Sequence, residues 1–215
     1  MVESSTIRLG VDIASDGGDE FVIAKADGYV ASIVHRSSGK ANANAVDVAG
    51  VVMGEIEKAV AIHKERAVQD LVRVKIDTIG VGWGVVSLLD RWVKERQLRA
   101  LIIGVNVAEK PKDQTKFKNQ RAEMWWNART LLQPRDERQE VRLEVDRQVL
   151  AQLAGPTFKS DSSGRIQIEA KADMKRRGVH SPDRAEAILL ALYENKNIIP
   201  AIAPISIGQV NPWTM

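Results

Sequence analysis

The 215-residue sequence contains no cysteine, which excludes disulfide bridges and thiolate metal sites and fits a reducing compartment. Histidine is scarce too, and the three present form no triad-like arrangement. Aromatic residues make up only 5% of the chain. No apolar run approaches the roughly 18 residues of a membrane span. The first residues, MVESSTIRLG, lack the basic start and apolar stretch of a secretory signal. The expectation is a soluble, intracellular protein with no membrane partner. Neither sign of charge dominates: 31 Lys and Arg stand against 28 Asp and Glu, a formal net charge of +3. That balance permits a polyanionic partner without demanding one.

What is present is an ordinary globular mixture, 44% hydrophobic and 27% charged, long enough for one large α/β domain or two small ones. No internal repeat or linker divides it. The reading is a single domain over 1–195 and a tail, 196–215, that carries Pro200, Pro204 and Pro212.

Near the start, Ile7, Leu9, Val11 and Ile13 alternate with Arg8, Gly10 and Asp12, the two-residue period of a strand with one apolar face. DGGDE supplies a turn, and two further strands, 21–26 and 29–35, meet at Asp27-Gly28, a hairpin signal. A helix is expected over about 44–66, with Val48, Val52, Ile56, Ala59, Val60 and His63 in one stripe. LVRVKID (71–77) again alternates as a strand. TIGVGWG then turns into a helix carrying Val85, Leu88, Leu89 and Trp92 on one face. LIIGV (101–105) is apolar throughout and is read as a central strand. A polar loop (108–118), a helix (119–132) and a charged segment to about 153 follow. A small hairpin surrounds DSSG. The closing helix starts at Ser181-Pro182, with Ser181 as N-cap and Pro182 at the first helical position.

Three antiparallel strands followed by βαβ crossovers make an α/β fold. Its mixed sheet is flanked by helices, with an α-rich insertion and a small hairpin, the layout of the ribonuclease-H-like superfamily.

Asp12 and Asp77 each end a strand on the side opposite the apolar row, and sites in open α/β sheets form at the carboxyl ends of parallel strands. If those strands are neighbours, the two carboxylates can face one another. Asp183 falls in the first turn of the closing helix, and Glu186 shares its face. Four such carboxylates suit hard divalent cations, Mg2+ or Mn2+. A pair of these ions about 3.5–4 Å apart can hydrolyse a phosphodiester without a histidine base. Simpler explanations stand beside this one. An aspartate at a strand end forms turns, and an acid in a first helical turn is stabilised by the macrodipole at about 0.3–1 kcal/mol.

GVGWG before a helix lacks the GxGxxG fingerprint and reads as a tight strand-to-helix turn. RSSGKA lacks the leading glycine and the final Ser/Thr of a Walker A loop. Lys110, Lys112, Lys116, Lys118, Arg121 and Arg129 surround Phe117, Trp125 and Trp126, a pattern that suits phosphate neutralisation with aromatic packing. It also suits a solvated helix with its tryptophans in the core, and the lysines are the better candidates for contact with a DNA backbone. His180 reads as structural, although it would lie near the carboxylates if they share a pocket.

Four segments, GVDIASDGGDEFVI, KIDTIGVGWGVVSLL, FKNQRAEMWWNARTLL and GRIQIEAKADMKRRGVHSPDRAEAILLAL, resemble in order the nuclease half of phage large terminase subunits. The resemblance runs from Leu9 to Tyr193, and the SPDRAEA ending is its most specific part. It implies a ribonuclease-H-like endonuclease that cuts concatemeric viral DNA during packaging in the host cytoplasm. Its metal-binding aspartates fall on Asp12, Asp77 and Asp183, while Asp19, Glu186 and Lys171 sit in matching motifs and assist. The implied partners are double-stranded DNA, an ATPase motor, the portal protein and the small terminase subunit. Family members carry the motor ahead of this domain, whereas no Walker A loop occurs here. The motor is therefore expected to have been removed or to be a separate polypeptide. Three alternatives remain. LGVDIASDGG resembles the first phosphate loop of sugar-kinase and actin-like ATPases, although the chain is short for their two domains. The others are a non-catalytic DNA- or portal-docking module and a related nuclease such as a junction resolvase.

Overall fold

The computed structural model describes residues 6–13, 19–38, 44–133 and 141–194. The tail from 196, most of the DGGDE turn and the end of RSSGKA lie outside the described residues. Strand β1 (Ile7–Asp12) pairs antiparallel with β2 (Glu20–Asp27), and β2 with β3 (Val30–Ser38). Gly28 turns the second hairpin at φ 58°, in the left-handed region that glycine enters without steric cost. The chain then crosses through α1 (Ala45–Glu65) to β4 (Val72–Asp77), and through α2 (Gly82–Glu95) to β5 (Ala100–Val105). β4 runs parallel to β1, and β5 parallel to β4. A short β6 (Arg142–Glu144) runs parallel to β3, giving the order β5-β4-β1-β2-β3-β6.

Each face of this sheet has its own core. On one side Ile7, Leu9 and Val11 of β1 and Val72, Val74 and Ile76 of β4 meet Val48, Val52 and Ile56 of α1 and Val85 and Leu89 of α2. The stripe on α1 forms as its helical period demands, and Asn44 caps it by accepting from the Val46 amide at 2.9 Å. His63, at the end of the stripe, is buried and accepts from the Ile7 amide at 2.7 Å. On the other side lies α6 (Asp183–Leu192), flanked by α3 (Gln120–Leu132) and α4 (Arg147–Ala154). Every residue of α6 is buried. Between α4 and α6 come a hairpin of β7 (Phe158–Ser160) with β8 (Ile166–Ile168) and the short α5 (Lys171–Arg176).

One glycine sets the distance between α6 and the sheet. A Cβ at Gly10 of β1 would overlap the Ala187 carbonyl oxygen and the Ala191 nitrogen of α6. Only a bare backbone lets the two main chains touch there, and this contact seats the start of α6 beside the end of β1.

Two expectations are corrected. β5 is an edge strand rather than a central one. Its apolar run arises because helices cover both its faces: Ala100 and Ile102 pack into one core, Ile103 and Val105 into the other. Covered faces write such a run whatever the lateral position of the strand. Nor is Ser181 the N-cap of α6. Pro182 holds the cap position with no side-chain cap, and the Ser181 hydroxyl donates instead to the Asp183 carboxylate. β6, α4 and α5 were not anticipated, because their charged sequences show no clear apolar period.

Candidate metal centre

Since β1 and β4 are parallel neighbours with Val11 beside Ile76, Asp12 and Asp77 leave the sheet side by side at its carboxyl end. The close approach at Gly10 brings the first turn of α6 over them. One carboxylate oxygen from each of Asp12, Asp183 and Glu186 lies within 4.8 Å of the others, and all three residues are buried. Asp77 lines the same cleft, of about 370 Å³, but stands outside that tight group. Its Oδ1 accepts from the Ile79 amide at 3.0 Å, which ties the carboxylate to the loop before α2. In that loop Gly80 adopts φ 73°, and Gly82, the first residue of α2, packs directly on the Asp77 carbonyl, so the segment is the tight turn read from GVGWG.

Two cations are built into the cleft. Lys171 Nζ lies 2.8 Å from Glu186 Oε2, 3.2 Å from Asp183 Oδ1 and 3.8 Å from Asp12 Oδ2. Arg121 Nε donates to Glu186 Oε1 at 2.7 Å, and its Nη1 to the Glu169 carbonyl at 2.5 Å. Both Asp183 oxygens are also engaged: Oδ1 accepts from Ser181 and Lys171, and Oδ2 from the Glu20 amide at 2.9 Å. Asp12 differs. Its Oδ2 is buried without a hydrogen-bond donor, a costly state for a carboxylate oxygen unless a cation faces it.

The electrostatics follow from this arrangement. Burial pushes the Asp12 carboxyl well above the usual aspartate range. Lys171 relieves part of that, while Glu186, Asp183 and Asp77 add to it. Burial also raises Asp77, against the opposing Ile79 hydrogen bond. Asp19, on the cleft wall, is raised by burial and by Asp183. Burial opposes ionisation of Glu186, yet Lys171 and Arg121 hold it below the usual glutamate range. Burial would likewise favour neutral Lys171, but Asp12, Glu186 and Asp183 keep it charged far above its ordinary value. An all-oxygen donor set with a buried oxygen that accepts no hydrogen bond fits a hard divalent cation. Asp12, Asp183 and Glu186 would hold it, with Asp77 at the rim.

No protein-family model and no curated protein matches the sequence. Solved structures do match in fold. The nuclease domain of the large terminase subunit gp2 of bacterial virus Sf6, with manganese, superposes with a TM-score of 0.60 at 16% identity, over 90% of this chain and 91% of that one. The large terminase nuclease from thermophilic phage G20c gives 0.55 at 17% identity, over 88% and 83%. The same G20c nuclease with bound magnesium gives 0.53 at 16%, over 90% and 84%. The fold is ribonuclease-H-like. At these identities the likeness concerns the fold, and the chemistry has to be argued from the residues of this chain.

The remaining residues singled out from sequence do not share one place. Lys110, Lys112, Lys116 and Lys118 are exposed on a loop whose end, with Asn119 and Gln167, forms one bank of the cleft. Lys118 Nζ reaches Gln167 at 3.2 Å. Arg121, grouped with those lysines in sequence, points instead into the cleft against Glu186. His180 is exposed and lines a second hollow next to Asp183 and Lys171. Of the aromatics, Trp125 is buried, whereas Trp126 is half-buried between the Phe158 ring at 5.1 Å and the Arg129 guanidinium at 4.7 Å.

Sequence reasoning missed Arg184 and Glu20. The buried Arg184 guanidinium grips Glu20 through two bonds, 2.6 Å from Nε and 2.8 Å from Nη2, and so fixes the start of β2 against α6. The signal was an arginine between Asp183 and Glu186 in the first turn of a helix that is apolar from Ala187 onward. Glu123 was missed as well. Its buried carboxylate accepts from the Lys112 amide at 2.9 Å and the Tyr193 hydroxyl at 3.2 Å, which anchors the lysine loop.

Proposed function

We propose that this chain is a divalent-metal-dependent endonuclease that cleaves double-stranded viral DNA during genome packaging, the nuclease part of a large terminase. The observation that carries the proposal is the convergence of the Asp12, Asp183 and Glu186 oxygens within 4.8 Å around a buried Asp12 Oδ2 that accepts no hydrogen bond. The fold is shared with terminase nuclease domains, two of them solved with manganese or magnesium, which supports the same reading. Residues 1–195 then form one domain, followed by the tail 196–215.

Mg2+ or Mn2+, bound as a pair, would supply Lewis-acid polarisation of the phosphoryl oxygen and activation of water. The chain's own residues do the rest. Asp12, Asp183 and Glu186 hold the cations, and Asp77 completes the set from the rim. Glu20 and Ser181 orient Asp183 through its two oxygens. Arg121 fixes one oxygen of Glu186 and leaves the other toward the cluster. Lys171 balances the charge of the buried carboxylates and stands where a phosphate would approach. Asp19 and His180 flank this centre as assisting groups. The bank of Lys110, Lys112, Lys116 and Lys118 attracts the sugar–phosphate backbone. An ATPase motor, a portal protein and a small terminase subunit would be its partners, in the cytoplasm of the infected cell.

The test is cleavage of linear duplex DNA by the alanine variants. Asp12→Ala, Asp77→Ala and Asp183→Ala each abolish cutting while circular dichroism stays that of the folded protein. Variants that all cut as well as the wild type would place the chemistry elsewhere. Preference for four-way junctions over linear duplex would reassign the chain to the resolvases.

A further inference from the structure

Next to the carboxylate cleft lies a second hollow of about 570 Å³, which shares Asp19, Lys171 and Asp183 with it. The size is within the roughly 300–1,000 Å³ of ligand sites. Its far wall offers donors only. Gln152 Oε1 accepts from the Arg184 and Ala185 amides at 2.9 and 3.2 Å. Gln148 Oε1 accepts from Arg184 Nη1 at 2.8 Å. Each carbonyl oxygen is therefore spent on α6, and each NH2 group is left as a donor with no partner among the described residues. Lys175, on α5, is exposed and makes no side-chain ion pair or hydrogen bond there either. The glycine turn after α5, with Gly178 at φ 78°, carries His180 to the same rim. Two acidic residues of the hollow are held, Glu20 by Arg184 and Asp183 by Lys171, and the third, Asp19, stands on the wall shared with the carboxylate cleft, where Lys171 and Lys175 attract it.

We propose that this hollow is a phosphate subsite for the nucleotide next to the scissile bond, with Lys175 and the amides of Gln148 and Gln152 binding its phosphodiester. The inference rests on the nuclease reading of the adjoining cleft. The carboxylate cluster gathers cations on one side of Asp183, and on the far wall of the other side Lys175 and the two glutamine amides present donors to an anion. A DNA strand crossing both meets the complementary charge in each. The amide pair also gives Arg184 a second purpose. Its guanidinium holds the Gln148 carbonyl oxygen, and the main-chain amides of Arg184 and Ala185 hold that of Gln152, so the end of each glutamine that faces the strand is fixed.

The experiment measures binding of a fluorescein-labelled duplex to the full chain by anisotropy, in Ca2+, over a salt series. Lys175→Ala is expected to weaken binding about tenfold at low salt and to lower the slope of log K against log salt by about one, the signature of one lost phosphate contact. Gln148→Glu, which keeps the acceptor for Arg184 but replaces the donor with an anion, weakens binding by a similar factor. Lys58→Ala, which removes an exposed lysine from α1 on the opposite face of the sheet, leaves affinity and slope unchanged. A slope for Lys175→Ala equal to that of the wild type, with affinity within twofold, overturns the subsite. So does an equal loss in Lys58→Ala. Duplex binding without cleavage in Mg2+ or Mn2+ would sink the nuclease reading, yet the slopes would still decide the subsite. Failure of the wild type to bind duplex at all sinks both.

Discussion

Replacing Gly10 by alanine adds one methyl group at the point where α6 touches the sheet. The new Cβ would meet the Ala187 oxygen, the Ala191 nitrogen and the Leu190 Cβ at separations under 3.0 Å, where ordinary contacts begin at 3.4 Å. Two of these atoms are helix backbone and cannot rotate away, so α6 has to retreat by on the order of 1 Å, an overpacking that costs about 1–3 kcal/mol. In a chain of this size that lowers the melting temperature by roughly 2–12 °C. The chemistry suffers further, because Asp183 and Glu186 travel with α6 while Asp12 stays on β1. A misplacement of about 1 Å can cost a hundredfold in rate. Gly50→Ala is the matched control. Its Cβ enters open space on exposed α1, and removing a mid-helix glycine adds about 0.5–1 kcal/mol. Differential scanning fluorimetry and a cleavage assay read both variants. If Gly10→Ala melts like Gly50→Ala and retains activity, the close approach of α6 to β1 does not exist as described.

Further outcomes follow from other contacts. Lys75 is buried and its pKa is lowered to about 8, chiefly by burial against the attraction of Glu194. Between about pH 8 and the unfolded lysine value the unfolded chain binds the extra proton, so this group makes stability rise with pH over that window. Lys75→Met removes this rise in urea melts recorded from pH 7 to 10, and an unchanged slope would contradict the assignment. Arg184→Met leaves the half-buried Glu20 without its bidentate partner and is expected to destabilise by about 1.5 kcal/mol, as loss of a charge-assisted hydrogen bond does; chemical denaturation measures it, and a loss under about 0.5 kcal/mol would count against the role given to Arg184. Mn2+ raises the melting temperature of the wild type and EDTA reverses the shift, since a ligand of the native state stabilises by mass action. Asp12→Asn loses most of that shift, and a full response in this variant would move the metal away from Asp12.

The antiparallel hairpins, the two crossovers and the stripe on α1 were legible because each has a plain period of two or 3.6. Asp12 and Asp77 were legible for the same reason, as polar residues in phase with the wrong side of an apolar alternation. Asp183 and Glu186 needed only their place in a first helical turn. The edge position of β5 was not legible, since LIIGV reports covered faces and says nothing of lateral neighbours. Ser181 misled because its hydroxyl serves the Asp183 carboxylate rather than the helix amides. The partnership of Arg184 with Glu20, 164 residues apart, has no local signature. Arg121 looked like one of a basic cluster, and only the packing of α3 against α6 turns it onto Glu186.

The carboxylate cluster is proposed to cut DNA with bound divalent metal. The most direct measurement incubates supercoiled plasmid with the protein in Mg2+ or Mn2+, beside an EDTA control and the Asp183→Ala variant. Nicking and linearisation are expected to require metal and to vanish in the variant. Cleavage that persists in EDTA, or that Asp183→Ala performs at the wild-type rate, would contradict that role of the cluster.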